Sequence, residues 1–408
     1  MPHEPPSLAS HRTVEAAARR SYAKIVSIIA TQSGDLDLAE DAVGDALHAA
    51  LTTWPRDGVP DNPDAWLLAV ARRKRIDAWR RARVRPMDPS ALSALESIPD
   101  PDLAALPDER LRMLFVCAHP SIDPGVRSAL MLRCVLGLSA DAIAQRFLVS
   151  KSAMVKRLTR AKSKIRSAGI RFEVPAEDDL PARTTSVLEA VYASFGVLHD
   201  APNTPDPADA TEPLSLAAHI AERLPREPEA FGLWALMAYC HARRETRRSR
   251  TGAFVPLDEQ DHARWDQGLI DRADDALRYA ARWGRPGRFQ LEAAIQSAHV
   301  ERLRAGAPGW SRVVELYAML RIVSPTIGAV IGHAAALGQA SGPDAGLQEL
   351  DRLDPDRVAE HQPYHAVRAA LLRRAGRFEE ADQATRIAAG LTPDPAVRSH
   401  LLGQIGAR

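Results

Sequence analysis

Gly137–Arg166, GLSADAIAQRFLVSKSAMVKRLTRAKSKIR, decides the fold of this chain. It reads as two helices joined by a tight turn. Ser139 is a candidate N-cap, with Asp141 in the first turn, where a carboxylate suits the positive end of the helix dipole. Leu138, Ile143, Ala144 and Phe147 supply the apolar side of the first helix. Leu148-Val149-Ser150 makes the turn, and Ser150 is placed to cap the second helix. There Met154, Leu158, Ala161 and Ile165 recur at steps of four, three and four, the period of one helical face. Ser152, Lys156, Arg160 and Ser163 fall on the opposite face, flanked by Arg157 and Lys164. A helix with a dry side and a cationic side, packed behind a short capped helix, suits a major-groove reader. An ordinary helical hairpin with a solvated basic face has the same pattern.

Upstream, Val14–Thr31 reads as a helix with Tyr22, Ile25, Val26, Ile28 and Ile29 inward, broken at Gly34-Asp35. Leu36–Leu51 follows, with an apolar stripe of Ala39, Val43, Ala46, Leu47 and Ala50. Glu40, Asp41, Asp45 and His48 make its exposed, mostly acidic side. Trp54–Pro63 is rich in Pro, Gly and Asp and predicts a loop. The next helix, Ala65–Arg83, is AWLLAVARRKRIDAWRRAR. Trp66, Arg73, Asp77 and Arg80 share one face, with Lys74 and Arg81 beside them. Aromatic and cationic residues interleaved on one helix suit stacking on unpaired bases together with phosphate contact. A surface helix with excess charge is the alternative.

The order and spacing of these segments resemble an extracytoplasmic-function (ECF) sigma factor of the sigma-70 family. LAEDAVGDAL resembles region 2.2, which holds the clamp helices of the polymerase β′ subunit. AWLLAVARRKRIDAWRR resembles regions 2.3 and 2.4, which melt and read the −10 element. Gly137–Arg166 resembles region 4.2, which reads the −35 element. The resemblance implies core RNA polymerase (β′ clamp helices and β subunit) and promoter DNA as partners. It implies polymerase contact at Glu40, Asp41, Asp45 and His48. It implies −10 contact at Trp66, Arg73, Lys74, Asp77, Arg80 and Arg81, and −35 contact at Ser152, Lys156, Arg157, Arg160, Ser163 and Lys164. Two departures stand out: Gly44-Asp45 replaces the usual Gln-Glu, and Arg73 replaces the Asn of many members. The second makes Arg73 a location for promoter reading without fixing a base preference.

The expected organisation is all-α: region 2 over 12–86, a linker over 87–102, region 4 over 103–170 and a helical domain over 184–408. The linker reading rests on the four prolines of Pro86–Pro101, which suit a spacer between two modules. Glu173–Pro181 is a second, shorter break. Beyond it, helices are expected near 184–198, 213–224, 228–247, 261–283, 287–304, 310–321, 326–340, 343–352, 362–375, 377–390 and 395–404. The stretch HAVRAALLRRAGRFEEADQATRIAAGLTPD resembles a tetratricopeptide (TPR) unit, and Gly342 lies 34 residues before Gly376, the period of that repeat. PEAFGLWALMAYCHARRETR, LDEQDHARWD and GRFQLEAAIQSAHV resemble the C-terminal extension of the sigma-factor group called ECF42. The resemblance implies a TPR-like solenoid that modulates activity, binding either the sigma modules of its own chain or a separate protein.

Composition bounds the rest. The chain has 408 residues, 46% of them apolar, and a net charge of +1, so cores are affordable and only local basic clusters point to a polyanion. Cys117, Cys134 and Cys240 form no disulfide framework, which suits a reducing cytoplasm. No apolar run approaches the ~20 residues that span a bilayer. Cys117-Ala118-His119 lacks the about four ligands that zinc needs, so no metal or cofactor is expected. The scattered histidines carry no HExxH spacing, and no enzyme motif is present. The rival to a sigma factor is a helix-turn-helix activator with a helical sensor domain. Such an activator has no use for LAEDAVGDAL and the AWLL helix.

Overall fold

The computed structural model describes residues 21–22, 24–82, 106–147, 149–175, 180–199, 207–306 and 309–406. Among them the regular structure is helical, apart from one isolated bridge between Arg248 and Phe254. The chain divides into two compact units, Met1–Val197 and Leu198–Arg408.

The first unit begins with helix α1 (24–33), α2 (Leu36–Asp57) and α3 (Pro63–Ala82). The period-3.6 apolar positions of each are buried: Ile25, Val26, Ile28 and Ile29, then Ala39, Val43, Ala46 and Ala50, then Leu67, Leu68 and Ala71. Asp35 caps α2 by accepting from the Asp37 and Leu38 amides at 3.0 and 3.1 Å. The expected loop at Trp54 is a correction. α2 continues through Pro55 to Asp57, and Trp54 is 1% exposed. Proline removes only one amide donor, a modest loss in a last turn. Burial of the indole outweighs it, and the Gly58 amide closes on the Trp54 carbonyl at 3.1 Å.

The same unit continues with α4 (Leu106–Cys117), α5 (Pro124–Cys134), α6 (Ala140–Arg146), α7 (Lys151–Ser167) and α8 (Leu180–His199). Ser139 Oγ accepts from the Ala142 amide at 3.1 Å and Ser150 Oγ from the Ala153 amide at 3.2 Å. The two serine caps therefore set where α6 and α7 start. α8 lies almost wholly in the first unit, and Arg127 of α5 donates to Ser186 of α8 at 3.1 Å.

The second unit runs through α9 (Pro207–Arg223), α10 (Pro228–Ala242), α11 (Gln267–Ala281), α12 (Arg288–Ala305), α13 (Trp310–Val323) and α14 (Ile327–Ser341). It ends with α15 (Pro343–Leu350), α16 (Pro355–Val358), α17 (Gln362–Arg374), α18 (Phe378–Leu391) and α19 (Pro395–Leu402). Two expected helices are shorter than predicted. The first stops at Ala242 and the second starts at Gln267, and residues 243–266 form an irregular segment with three short 3-10 turns. Trp265 anchors that segment: it is buried, donates to Thr246 Oγ1 at 3.0 Å, and lies 5.9 Å from the Arg243 guanidinium. Asp266 then caps α11 through the Leu269 amide at 2.9 Å.

Further along, α14 and α15 approach closely. A Cβ on Gly346 would lie 2.5 Å from the Ala334 carbonyl oxygen. Ile331, Ala334, Leu347, Leu350, Leu371, Leu372 and Ala381 form the core shared by α14, α15, α17 and α18. No described helix is long and apolar enough to cross a membrane.

Candidate nucleic-acid and polymerase interface

α7 separates its residues by face. Met154, Leu158, Ala161 and Ile165 are buried. Ser152, Lys156, Arg157, Arg160, Ser163 and Lys164 are all exposed. Arg157, Arg160 and Lys164 border a cleft of about 510 Å³ whose other wall is Ser121–Val126, at the start of α5. A rigid, capped helix thus presents several cations and two hydroxyls on one solvent-facing surface. Such a set has the chemistry to contact phosphates through charge and to donate to base edges through Arg and Lys.

The −10 candidates divide. Arg73 is exposed and Lys74 half-buried. Trp66 is half-buried, with its ring edge-on to Trp54 at 5.5 Å between centroids and 66° between planes. Trp54 thereby fixes the indole of Trp66 from below, a contact the expected loop assignment concealed. The side chains of Asp77, Arg80 and Arg81 lie outside the described residues.

The polymerase candidates also divide. Asp41, Asp45 and His48 are exposed along α2. Glu40 is not: its side chain is 13% exposed and faces α7 and α5. Lys162 Nζ sits 2.8 Å from Glu40 and 3.4 Å from Asp37. Arg166 reaches Asp37 at 2.6 Å and Asp35 at 3.6 Å. Arg133 of α5 lies 3.5 Å from Glu40, donates to Tyr22 Oη at 3.2 Å, and stacks over the Tyr22 ring at 5.4 Å. Burial lowers the Lys162 pKa, but its hydrogen bond to Glu40 and the Glu40 charge outweigh that and hold it above its ordinary value. Sequence reasoning missed Lys162, Arg166, Arg133, Asp35 and Asp37. Only the composition of two separate helix ends hints at them, acidic at the start of α2 and basic at the end of α7.

Among the described residues, no group of three or more His, Cys, Asp or Glu side chains is placed to hold a metal ion. Cys117 and Cys134 are both buried, and burial, then the hydrogen bond its thiol makes to Cys134, pushes the Cys117 thiol well above its ordinary pKa. The charged side chains of 243–266 find partners elsewhere in the second unit. Arg248 pairs with Asp394, Asp258 with Arg302, and Arg243 donates to Gln296 at 2.7 Å. In the second unit, α11, α12 and α13 border an open cleft of about 600 Å³, lined by Leu277, Leu291, Ala294, Arg304 and Arg312 among others.

Residues 17–85 match the family described as Sigma-70 region 2, and residues 112–165 match Sigma-70, region 4. Residues 183–281 match a family of unknown function, DUF6596. A protein of Rhizobium meliloti (strain 1021), "Uncharacterized protein R00370", is 35% identical over 383 residues, covering 91% of this chain and 90% of that protein. The "Probable ECF RNA polymerase sigma factor SigI" of Mycobacterium tuberculosis is 28% identical over 184 residues, 43% of this chain and 62% of that protein. No solved structure matches the chain. The chain thus carries sigma-70 regions 2 and 4, in family order, on the two helical modules of its first unit, and with its likeness to SigI these domains support a sigma factor of the ECF type.

Proposed function

We propose that the chain directs core RNA polymerase to a specific set of promoters. In this reading Asp41, Asp45 and His48, with Glu40 once it is freed, meet the β′ clamp helices on the outer side of α2. Trp66, Arg73, Lys74, Asp77, Arg80 and Arg81 engage the −10 element, and region 4 docks on the β subunit. Ser152, Lys156, Arg157, Arg160, Ser163 and Lys164 engage the −35 element. The observation that carries the reading is the single-faced cationic surface of α7, set by two serine caps and a buried apolar seam. The protein has no chemistry of its own and works in the cytoplasm.

The C-terminal helices act as a modulating, TPR-like extension of the ECF42 kind. Gly342 and Gly376 support this: both have positive φ, at 99° and 76°, and each precedes the second helix of a hairpin. A solenoid offers an extended concave face to a protein segment, and the α11–α13 cleft supplies one place for it.

In vitro transcription with purified core polymerase tests the reading. The full chain should initiate from a cognate promoter. Arg160→Ala should cost ~1–3 kcal/mol of discrimination if the guanidinium is bidentate to a guanine. Equal loss on every DNA sequence would make Arg160 a phosphate contact. No polymerase binding at all would overturn the function.

A further inference from the structure

The second unit is a row of helices in which each packs mainly on its near neighbours in sequence, as in a repeat array. The stretch that leaves α10 breaks that order. It touches α12 through Arg243 and Asp258 and then reaches α19, at the far end of the row. The part that reaches α19 is a small hairpin over residues 247–255. Ser249 donates to the Ala253 carbonyl at 2.8 Å and Val255 to the Arg247 carbonyl at 3.0 Å, around the bridge of Arg248 with Phe254. Gly252 turns it with a φ of 83°, a left-handed conformation that favours glycine. Arg248 and Phe254 stand opposite each other on the two strands, so both side chains leave by one side. That side meets α19. Arg248 pairs with one oxygen of Asp394, whose other oxygen caps α19 through the Ala396 amide at 2.9 Å. Phe254 lies edge-on to His400 at 5.4 Å between centroids. Asp394 and His400 are about 9 Å apart along the helix axis.

The hairpin is firmly rooted and lightly held at its tip. At the root Trp265 and Thr246 are buried, and Gln260 donates to the Val255 carbonyl at 3.1 Å. At the tip residues 249–253 are all exposed. The Arg248 and Asp394 side chains are 31% and 23% exposed, so solvent screens their pairing. A segment fixed at its root and held at its tip by two side chains opens without unfolding the array. We propose that the Asp394–His400 face of α19 is a docking surface for an extended segment of a partner protein. That segment carries an arginine and an aromatic residue two positions apart, on one side of a strand and roughly 6.6 Å from each other along it. The long side chains span the rest. The hairpin 247–255 occupies the surface as an internal stand-in, which the partner displaces. This docking rests on the proposed segment-binding role of the second unit. It is measured without polymerase, so its failure leaves the promoter-directing role to be decided by polymerase binding.

Fluorescence anisotropy with a labelled peptide of residues 246–256 tests the surface on the full chain. The wild-type chain holds its own hairpin at an effective concentration of about millimolar, so it should bind the peptide weakly. Arg248→Ala combined with Phe254→Ala vacates α19 and should bind it at least ~tenfold tighter. Adding Asp394→Asn to that variant keeps a capping side chain on α19 and should abolish the gain. An unlabelled linear peptide with Arg and Phe two positions apart should compete, and the same peptide with Glu in place of Arg should not. Hydrogen exchange on the wild-type chain supplies a readout that no substitution can disturb. The Ser249 and Val255 amides should exchange at least ~tenfold faster than those in the middle of α10. Equal protection would make the hairpin a fixed staple and overturn its displacement. Equal peptide binding by wild type and the double variant overturns the docking surface. So does binding that survives Asp394→Asn. A linear Arg/Phe peptide without effect, or one that competes equally well with Glu in place of Arg, overturns the assigned partner chemistry.

Discussion

Acidification from pH 7 to pH 4 should destabilise the second unit, and His299 should carry a separable share of the loss. His299 lies on α12 with its ring edge-on to Trp310 at 5.5 Å. Its Nδ1 accepts from Arg302 Nε at 3.2 Å, an arrangement open only to the neutral ring with its proton on Nε2. Burial first, then the Arg302 and Arg243 guanidiniums, push its pKa from 6.5 down to about 4. The folded value lies below the unfolded one. Between the two, the unfolded chain takes up a proton that the folded chain refuses. Stability is therefore full above about pH 6.5 and falls as pH drops toward 4, where the loss levels off. A gap of about 2.5 pH units, at about 1.4 kcal/mol each, sets the full loss at roughly 3.5 kcal/mol. Denaturant unfolding followed by tryptophan fluorescence at pH 7, 5.5 and 4.5 measures it. His299→Gln retains an acceptor for Arg302 and cannot titrate, so it should be less acid-sensitive than wild type by about that amount. Other carboxylates contribute equally to both proteins and cancel. Equal pH slopes in the two would refute the assignment.

Asp45→Lys should weaken core polymerase binding and leave thermal stability within about 0.5 kcal/mol, because Asp45 is exposed and surface exchanges cost little. Undiminished capture of polymerase by the variant would remove Asp45 from that surface. Gly346→Ala should cost the second unit about 1–3 kcal/mol, because the new methyl meets the Ala334 carbonyl at 2.5 Å and overpacking is costly. An unshifted melting curve would count against that close approach. Ending the chain at Val197, which keeps α8 with the first unit, should alter promoter-dependent transcription upward or downward. A truncated chain that transcribes like the full one would rule out a modulating C-terminal half.

Local pattern was legible where local physics decides. The seam of Met154, Leu158, Ala161 and Ile165 is buried residue for residue, because a helix period is a property of the sequence itself. Ser139 and Ser150 cap where their position says they should. Pro55 was misleading, since its penalty depends on its place in the helix and on what the neighbouring indole buries. Residues 243–247 and 261–266 read as helix because charged residues and alanine there extend the flanking patterns. Their actual path depends on Trp265, whose partner Thr246 is a tertiary contact with no periodic signature. The α2–α7 ion pairs join residues more than a hundred positions apart. Nothing within either helix announces its partner, so Glu40 looked like one more solvent-facing acid beside Asp41.

The arrangement of charge around α7 explains how one helix serves two partners. At 100° per residue, Lys156 and Arg160 fall roughly 200–240° around from Met154. Lys162 and Arg166 fall at roughly 80–120° on the same scale. The two cationic edges are therefore distinct, and the buried seam lies against only one of them. The edge beside the seam, at Lys162 and Arg166, sits where a neighbouring helix of the same chain can reach it, and α2 does. The edge opposite the seam points away from the protein, and it stays exposed. A basic helix with its cations spread evenly would lose DNA-facing charge whenever it met an acidic surface. Here the acids of α2 neutralise cations that the opposite face does not need. Charge change at Lys162 should consequently weaken the α2–α7 contact while leaving the salt dependence of DNA binding intact. Charge change at Lys156 or Arg160 should do the reverse, lowering that salt dependence by about one counterion per lost phosphate contact.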